Sequence, residues 1–216
     1  MAYQAAIFDM DGTLLNTLDD LAASTNAALA AHGMPGRTTD EVRRFVGNGI
    51  PNLIRRAVPA GTDEATQREV FDTFCAHYAE HDADATAPYP GILALLEQLR
   101  AAGVQCAVVS NKGDFAVQAL CEHYFPGMFA FAVGEREGVR RKPAPDTVNA
   151  ALAALGVKRA DAVYIGDSEV DVATAAASGL DCICVTWGFR SVETLLEAGA
   201  TTLVDTTAKL LAHILD

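Results

Sequence analysis

Apolar and polar positions divide the chain into two regions with different periodicities. After residue 90, short apolar runs alternate with segments of helical spacing, whereas residues 17–85 show helical spacing alone. Alternating strands and helices are typical of a mainly parallel sheet with helices on both faces. The pattern therefore predicts an α/β core made of residues 1–16 and 86–216, with an all-helical domain of residues 17–85 inserted after the first strand.

Five short apolar runs are predicted to be the strands of this core. They cover residues 5–8, 104–109, 129–133, 162–165 and 181–185. Each run has the length of a buried strand, and turn-forming residues lie between the runs. Four helices are predicted in the inserted domain, and their start signals are Thr17, a capping box of Thr38 and Glu41, Pro51 and Asp63.

Reactive side chains follow three of the predicted strands at the point where each strand ends. Asp9 and Asp11 follow the first run, Ser110-Asn111-Lys112 follows the second, and Gly166-Asp167 follows the fourth. In Rossmann-like parallel sheets, ligands bind beyond the carboxyl ends of the strands. We therefore expect these side chains to line one site.

Asp9 and Asp11 form a closely spaced pair of carboxylates. Residues i and i+2 of an extended backbone point the same way, so both side chains are able to reach one site. Two anions held that close repel each other, and such a pair is usually metal-bound or protonated. A hard cation with oxygen ligands, most simply Mg²⁺, would relieve the repulsion. The simpler alternative is a strand followed by an Asp-Gly turn.

Charge and cysteine content indicate which binding partners are disfavoured and which cellular compartment is expected. The formal net charge of −12 argues against nucleic acids and anionic membrane surfaces as partners. The chain shows no targeting segment before its first strand and no apolar run near the ~20 residues of a membrane-spanning helix. Its five cysteines are scattered, and Cys182 and Cys184 suit alternate positions of a buried strand better than a metal site. These features predict a cytoplasmic protein with reduced thiols.

Four short motifs occur in order along the chain. They are the stretch from Asp9 to Leu14, the pair Ser110-Asn111, the pair Lys142-Pro143 and the stretch from Gly166 to Asp171. Together they resemble the four motifs of the haloacid dehalogenase superfamily, and the helical insertion resembles its cap domain. Each motif alone is weak, but the ordered set is specific, and the resemblance runs from about residue 5 to about residue 205.

The resemblance implies the roles of the three aspartates at the strand ends. Asp9 would be the nucleophile that accepts the phosphoryl group as an aspartyl-phosphate. Asp11 would protonate the leaving oxygen and later deprotonate the attacking water. Mg²⁺ would be held by the side chains of Asp9 and Asp167 and by the backbone carbonyl of Asp11.

The other motif residues would hold the phosphoryl group and order the site. Ser110, the backbone of Asn111 and the ammonium group of Lys142 would bind the phosphoryl oxygens. Asp171 would orient Lys142 or a metal-bound water. The alternative for Asp171 is a carboxylate that interacts only with the positive end of a helix dipole.

Two features separate subclasses of the superfamily. Dehalogenases lack an acidic residue at the position of Asp11, because a halide leaves without a proton. Phosphonate hydrolases use a lysine in the cap, and residues 17–85 contain no lysine. The sequence therefore fits neither the dehalogenases nor the phosphonate hydrolases, and the resemblance implies a phosphatase.

The substrate is suggested by two segments that resemble phosphoglycolate phosphatases, residues 45–50 and 185–190. Asn48, Gly49 and Arg55 are candidate contacts to the substrate. The alternative for Asn48 and Gly49 is a tight turn between two helices, and the alternative for Arg55 is an exposed position on a solvated helix face. The leading hypothesis is a Mg²⁺-dependent phosphatase of small phosphorylated metabolites, with 2-phosphoglycolate as the single best candidate.

Three other functions stay open at this stage. A β-phosphoglucomutase-like sugar-phosphate mutase and a pyrophosphatase belong to the same superfamily. A non-catalytic binding protein on the same fold would be expected to have lost Asp9 or Asp167, and both are present. The oligomeric state is not indicated by the sequence.

Overall fold

The computed structural model describes residues 2–216 and divides them into two compact units. The α/β unit contains the residues up to Leu15 together with Pro88–Asp216, and the helical unit is Asn16–Ala87. The predicted fold class, a parallel α/β sheet with helices, is confirmed. That the helical unit acts as a cap stays a prediction.

Eight strands are present in the described chain. They are β1 Ala5–Phe8, β2 Leu15–Asn16, β3 Ala87–Pro88, β4 Gln105–Gly113, β5 Phe131–Glu135, β6 Ala162–Gly166, β7 Asp181–Val185 and β8 Thr202–Val204. Six of them form one sheet in the order β5-β4-β1-β6-β7-β8, and every adjacent pair is parallel. The short strands β2 and β3 make a separate two-stranded sheet where the chain passes between the units.

Ten α-helices accompany these strands within residues 2–216. They are α1 Leu18–Ala31, α2 Thr39–Phe45, α3 Ile50–Ala57, α4 Glu64–His81, α5 Ile92–Ala101, α6 Asp114–Tyr124, α7 Asp146–Leu155, α8 Glu169–Ser178, α9 Val192–Glu197 and α10 Thr207–Leu215. The first four belong to the helical unit, and the other six belong to the α/β unit. In the described chain no helix has both the length and the apolar character that crossing a membrane requires.

The strand β1 is apolar on both sides because it lies inside the sheet. Its residues alternate between two hydrophobic clusters: Ala6 and Phe8 belong to one, whereas Ala5 and Ile7 belong to the other. A strand with period two places successive side chains on opposite faces of the sheet. Both faces are covered in a parallel α/β sheet, so a continuous apolar run is the expected signature of such a strand.

The helical unit is held by caps and by one buried carboxylate. Thr38 and Glu41 form the predicted capping box at the start of α2, and Asp63 caps α4 by accepting a hydrogen bond from the Thr66 N–H at 3.0 Å. Asp20 is buried in α1 and accepts hydrogen bonds from the N–H groups of Ala85 and Thr86. This carboxylate ties the first helix to the segment after the last one.

Two details of the sheet differ from the sequence pattern. The strand β4 runs on to Gly113, and its register against β5 shifts between Val109 and Gly113. The polar residues 110–112 therefore lie within an irregular strand end and not in a loop. The edge strand β8 was not predicted, because three residues are too few to show a period of two.

Candidate active site

Three neighbouring strands bring the candidate residues to one edge of the sheet. The strand β1 lies between β4 and β6, and all three run in the same direction. Asp9 follows β1, Ser110 and Asn111 lie in the last part of β4, and Asp167 follows β6. Their side chains are buried at this edge. The topology thus explains why residues about 100 positions apart in the chain meet.

Lys142 lies at the centre of the site. Its ammonium group is 2.9 Å from an Asp9 carboxylate oxygen and 2.9 Å from an Asp171 carboxylate oxygen. It also donates a hydrogen bond to the Tyr164 hydroxyl at 3.0 Å. The Lys142 side chain is 2% exposed, so its charge is compensated almost entirely by these neighbours. Burial lowers the pKa of Lys142, but Asp171 and Asp9 outweigh it and hold that pKa well above its ordinary value.

Asp171 is saturated with hydrogen-bond donors. One carboxylate oxygen accepts from Lys142 and from the Tyr164 hydroxyl. The other accepts from the N–H groups of Asp167 and Ser168 and from the Ser168 hydroxyl at 2.6 Å. Burial raises its pKa, but Lys142 and Ser168 outweigh this effect and the pKa is lowered. Asp171 is therefore an ionised anchor for the lysine and for the turn that starts α8.

Asp9 and Asp167 have fewer donors and less favourable surroundings for a charge. Burial raises the pKa of Asp9 well above its ordinary value, and Lys142 only partly opposes this. Burial, with a smaller contribution from Asp171, raises the pKa of Asp167 to about 7. Asp167 accepts hydrogen bonds from the Thr13 hydroxyl at 3.0 Å and from the Phe189 N–H at 2.8 Å.

The donor set fits a hard divalent cation. Ligand oxygens of Asp9, Asp167 and Asp171 all lie within 4.8 Å of one another. Because the oxygens of Asp171 are already occupied by lysine, hydroxyl and amide donors, Asp9 and Asp167 are the side chains suited to coordinate a metal. Buried carboxylates with raised pKa values are stabilised when a cation replaces the missing solvation.

Two glycines make room for this arrangement. A Cβ atom on Gly12 would collide with the Asp167 carboxylate, and Gly12 also has a φ of +84° that L side chains rarely adopt. A Cβ atom on Gly188 would collide with the Asp167 side chain and the Gly12 carbonyl oxygen. The loop after β1 and the loop after β7 therefore enclose Asp167 closely.

Ser110 and Asn111 are both buried, and Asn111 contacts Lys142. The Asn111 side chain bridges the backbone of Lys142: its Nδ2 donates to the Lys142 carbonyl at 3.1 Å, and its Oδ1 accepts from the Lys142 N–H at 2.9 Å. The Asn111 side chain is thus used to fix the lysine loop. The predicted contact of the Asn111 backbone to a phosphoryl group stays a prediction.

Asp11 does not join the cluster formed by the other three aspartates. Its carboxylate faces the ammonium group of Lys112, which lies 3.0 Å from one oxygen and 3.2 Å from the other. Lys112 is buried, and Asp11 keeps part of its side chain exposed. The predicted ligation of a metal by the Asp11 backbone carbonyl stays a prediction.

Sequence reasoning gave no role in the site to four residues that contact it: Lys112, Tyr164, Gly188 and Phe189. The sequence placed Lys112 at the strand end together with Ser110 and Asn111, but it did not indicate which group the lysine contacts. Tyr164 is a polar residue inside a buried apolar run, which signals a partner for its hydroxyl. Gly188 and Phe189 lie in the segment 185–190 noted above, but they act through backbone geometry, which that resemblance did not indicate.

The candidate residues Asn48, Gly49 and Arg55 all lie in the helical unit. Gly49 precedes α3 with a φ of +78°, and the Asn48 carbonyl accepts a hydrogen bond from the Asn52 side chain at 2.8 Å. Arg55 is exposed and donates to the Asn52 side chain at 2.7 Å. Their predicted contact to a substrate stays a prediction.

Comparison with known proteins agrees with this arrangement. The chain is 32% identical to a phosphoglycolate phosphatase of Pseudomonas syringae pv. tomato, over 97% of this chain and 79% of that protein. It is 37% identical to a phosphoglycolate phosphatase of Cereibacter sphaeroides, over 85% of each protein. A candidate phosphoglycolate phosphatase from Lactobacillus delbrueckii subsp. bulgaricus, known as a crystal structure, superposes with a TM-score of 0.95 at 43% identity, covering 100% of this chain and 99% of that one.

The family assignment rests on a match over most of the chain. Residues 6–185 match the haloacid dehalogenase-like hydrolases, and this range includes every residue of the aspartate and lysine cluster described above. The family and the relatives together indicate a phosphatase, a hydrolase of phosphoric monoesters. The chain therefore belongs to the haloacid dehalogenase-like hydrolase family.

Proposed function

We propose that this protein is a Mg²⁺-dependent phosphatase that hydrolyses 2-phosphoglycolate to glycolate and phosphate. The observation that carries the proposal is the Asp9 carboxylate, which is buried at a strand end and paired with Lys142 at 2.9 Å beside a second acidic residue, Asp167. A carboxylate attacks an anionic phosphate ester only where the charges are offset. The relatives that are named phosphoglycolate phosphatases support the choice of substrate.

The first half of the reaction transfers the phosphoryl group to Asp9. An Asp9 oxygen forms a bond to phosphorus while the bond from phosphorus to the glycolate oxygen breaks, and Asp11 gives its proton to that oxygen. Lys142, Ser110 and the Asn111 backbone hold the phosphoryl oxygens during the transfer. Asp171 and Tyr164 hold the Lys142 ammonium group in place.

The second half of the reaction releases phosphate. Asp11, now a carboxylate, takes a proton from a water molecule that attacks the aspartyl-phosphate, and Asp9 is regenerated. A metal ion at this site would be held by the side chains of Asp9 and Asp167 and the backbone carbonyl of Asp11. When bound, Mg²⁺ supplies positive charge that offsets the repulsion between these carboxylates and the phosphoryl oxygens.

The helical unit would act as the cap that selects the substrate. The residues of the α/β unit proposed above recognise a phosphoryl group, which all phosphate monoesters share. Discrimination among esters then requires contacts to the leaving group, and Asn48, Gly49 and Arg55 are the proposed contacts. The 2-phosphoglycolate molecule carries a carboxylate at its far end, and an arginine suits that group.

The proposal is tested with a panel of phosphate compounds. Phosphate release is measured with 2-phosphoglycolate, a sugar phosphate, pyrophosphate and p-nitrophenyl phosphate, with Mg²⁺ and with EDTA. We expect the highest kcat/KM for 2-phosphoglycolate with Mg²⁺, loss of activity in EDTA, and recovery when Mg²⁺ is restored. Highest turnover of pyrophosphate, or isomerisation of the sugar phosphate without release of phosphate, would instead support the alternative enzymes.

The nucleophile is tested in the same assay. Asp9→Asn is expected to lower kcat by about 10⁴-fold or more, the scale for removal of a nucleophile, with an unchanged circular dichroism spectrum. Asp19→Asn is the matched control, because Asp19 is an exposed aspartate in α1. An Asp9→Asn protein that keeps a tenth of the wild-type activity would exclude Asp9 as the nucleophile.

A further inference from the structure

Lys112 is a buried cation to which the mechanism above gives no role. Its side chain is 2% exposed, and its ammonium group lies 3.0 Å and 3.2 Å from the two carboxylate oxygens of Asp11. Burying an ammonium group is unfavourable unless a partner compensates its charge. The Asp11 carboxylate is such a partner for Lys112.

The irregular end of β4 anchors the lysine beside the phosphate-binding residues. The register of β4 against β5 shifts between Val109 and Gly113. Within this segment the Lys112 N–H donates to the Ser110 hydroxyl at 3.2 Å, while the Asn111 side chain holds the backbone of Lys142. The same strand end thus positions the residues that would bind the phosphoryl group and the cation that contacts Asp11.

The two buried lysines of the site serve different aspartates. Lys142 contacts Asp9 and Asp171, whereas Lys112 contacts Asp11. The two catalytic carboxylates have different tasks, because one attacks phosphorus and the other moves a proton. Separate cations allow each carboxylate to be oriented independently of the other.

We propose that Lys112 is a positioning residue that fixes Asp11 for proton transfer to the leaving oxygen. An ammonium group close to both oxygens restricts rotation of the carboxyl group. The Asp11 side chain is 15% exposed, so an edge of it stays open to a reacting oxygen. This inference rests on the proposed phosphatase function.

The leaving group offers a test that separates positioning from a merely structural role. Glycolate leaves 2-phosphoglycolate as an alkoxide that needs a proton, whereas p-nitrophenolate leaves without one. The kcat/KM value reports only the steps up to departure of the leaving group. In Lys112→Met we expect kcat/KM for 2-phosphoglycolate to fall about 10- to 100-fold, within the range of general acid catalysis. The value for p-nitrophenyl phosphate should fall only a few fold.

The ratio of the two kcat/KM values is the decisive quantity. Both are measured on one preparation, so a fraction of misfolded protein lowers them equally and leaves the ratio unchanged. Lys112→Arg is the second variant, and it should recover part of the lost ratio because it keeps the charge. Lys158→Met is the matched control at an exposed lysine of the α/β unit. Equal losses for both substrates in Lys112→Met would overturn the proposal.

A double-mutant cycle tests whether Lys112 acts through Asp11. In an Asp11→Asn background, Lys112→Met should not change the substrate ratio further, because the group that it positions is absent. A further tenfold change in that background would show that Lys112 acts directly on the substrate, which contradicts the proposal. The proposed function fails separately: it is wrong if the wild-type protein releases phosphate from none of the esters.

Discussion

At the scale of residues, two neighbouring aspartates differ because their neighbours differ. Asp171 accepts hydrogen bonds from a lysine, two hydroxyls and two backbone N–H groups, and its pKa is lowered. Asp167 accepts from one hydroxyl and one N–H, and burial raises its pKa to about 7. One carboxylate is thus a permanent anion, and the other is stabilised by a cation or a proton.

The raised pKa of Asp167 predicts a pH-dependent stability of the metal-free protein. Between the ordinary pKa of 3.8 and about 7, the folded state binds a proton that the unfolded state has lost. The free energy of unfolding therefore falls as the pH rises through this window. In Asp167→Asn this contribution is absent, so the variant should gain stability relative to wild type by about 2–3 kcal/mol between pH 5 and pH 8.

Urea unfolding in EDTA at several pH values measures this difference. A free-energy difference between wild type and Asp167→Asn that stays constant from pH 5 to pH 8 would contradict the prediction. Added Mg²⁺ should raise the stability of the wild-type protein at pH 8 and leave Asp167→Asn nearly unchanged, because only a protein that binds the ion is stabilised. Asp19→Asn serves again as the control.

At the scale of elements, the loop after β7 lies outside the four motifs but contacts residues of the site. The indole N–H of Trp187 donates to the Thr13 carbonyl at 3.1 Å, which ties this loop to the loop after β1. The Phe189 N–H donates to the Asp167 carboxylate at 2.8 Å. Between them, Gly188 lies against Asp167 and Gly12. The loop thus orients a proposed metal ligand through backbone atoms.

Gly188→Ala is expected to disturb the site without unfolding the sheet. The added methyl group would collide with the Asp167 side chain and the Gly12 carbonyl oxygen, so the carboxylate must move. We expect kcat/KM to fall at least about tenfold, since small displacements of catalytic groups are costly, and Mg²⁺ affinity to weaken. Isothermal titration with Mg²⁺ and phosphate-release assays measure the two effects.

The control for this loop is Gly36→Ala in the helical unit. There the added Cβ atom would meet the Asn26 side-chain oxygen at 3.1 Å, which is tight but not prohibitive. If Gly188→Ala kept the activity and the Mg²⁺ affinity of the wild-type protein, the loop would be free to adjust and would not fix Asp167.

Helix and strand elements were predicted where a local pattern exists. The capping box of Thr38 and Glu41 and the apolar run of β1 both appear as expected. The strand β8 and the extension of β4 to Gly113 were missed. Both depend on pairing with a neighbouring strand, which is a contact between distant parts of the chain and leaves no periodic signal.

At the scale of the whole molecule, the chain divides into two units that carry different candidate residues. The aspartate and lysine cluster belongs to the α/β unit, and Arg55 belongs to the helical unit. If the helical unit selects the substrate, Arg55→Gln should lower kcat/KM for 2-phosphoglycolate about 10- to 100-fold, the value of one charge-assisted hydrogen bond. Hydrolysis of p-nitrophenyl phosphate, which lacks the carboxylate, should change much less.

Arg68→Gln is the matched control for this prediction. Arg68 is an exposed arginine of α4 that pairs with Asp72 on the same helix. Steady-state kinetics with both esters compare the two variants. An equal loss for both esters in Arg55→Gln would show that Arg55 does not recognise the carboxylate, and the substrate-selecting role proposed for it would then be wrong.

The sequence by itself determined the fold class, the order of the main elements and the identities of the clustered residues Asp9, Lys142, Asp167 and Asp171. These follow from local signals, namely apolar runs that end in reactive residues and short motifs in a recognisable order. The tertiary structure alone decided which group each residue contacts. It paired Lys112 with Asp11, saturated Asp171 with donors, and placed Gly188 against Asp167.

The physical reason lies in the range of the interactions. Periodicity and capping are set by residues a few positions apart, so they are visible in the chain itself. The contact of Lys112 with Asp11 joins residues 101 positions apart and depends on the register of β4 beside β1. Such a contact, and the pKa values that burial shifts, exist only once the sheet has brought its strand ends together.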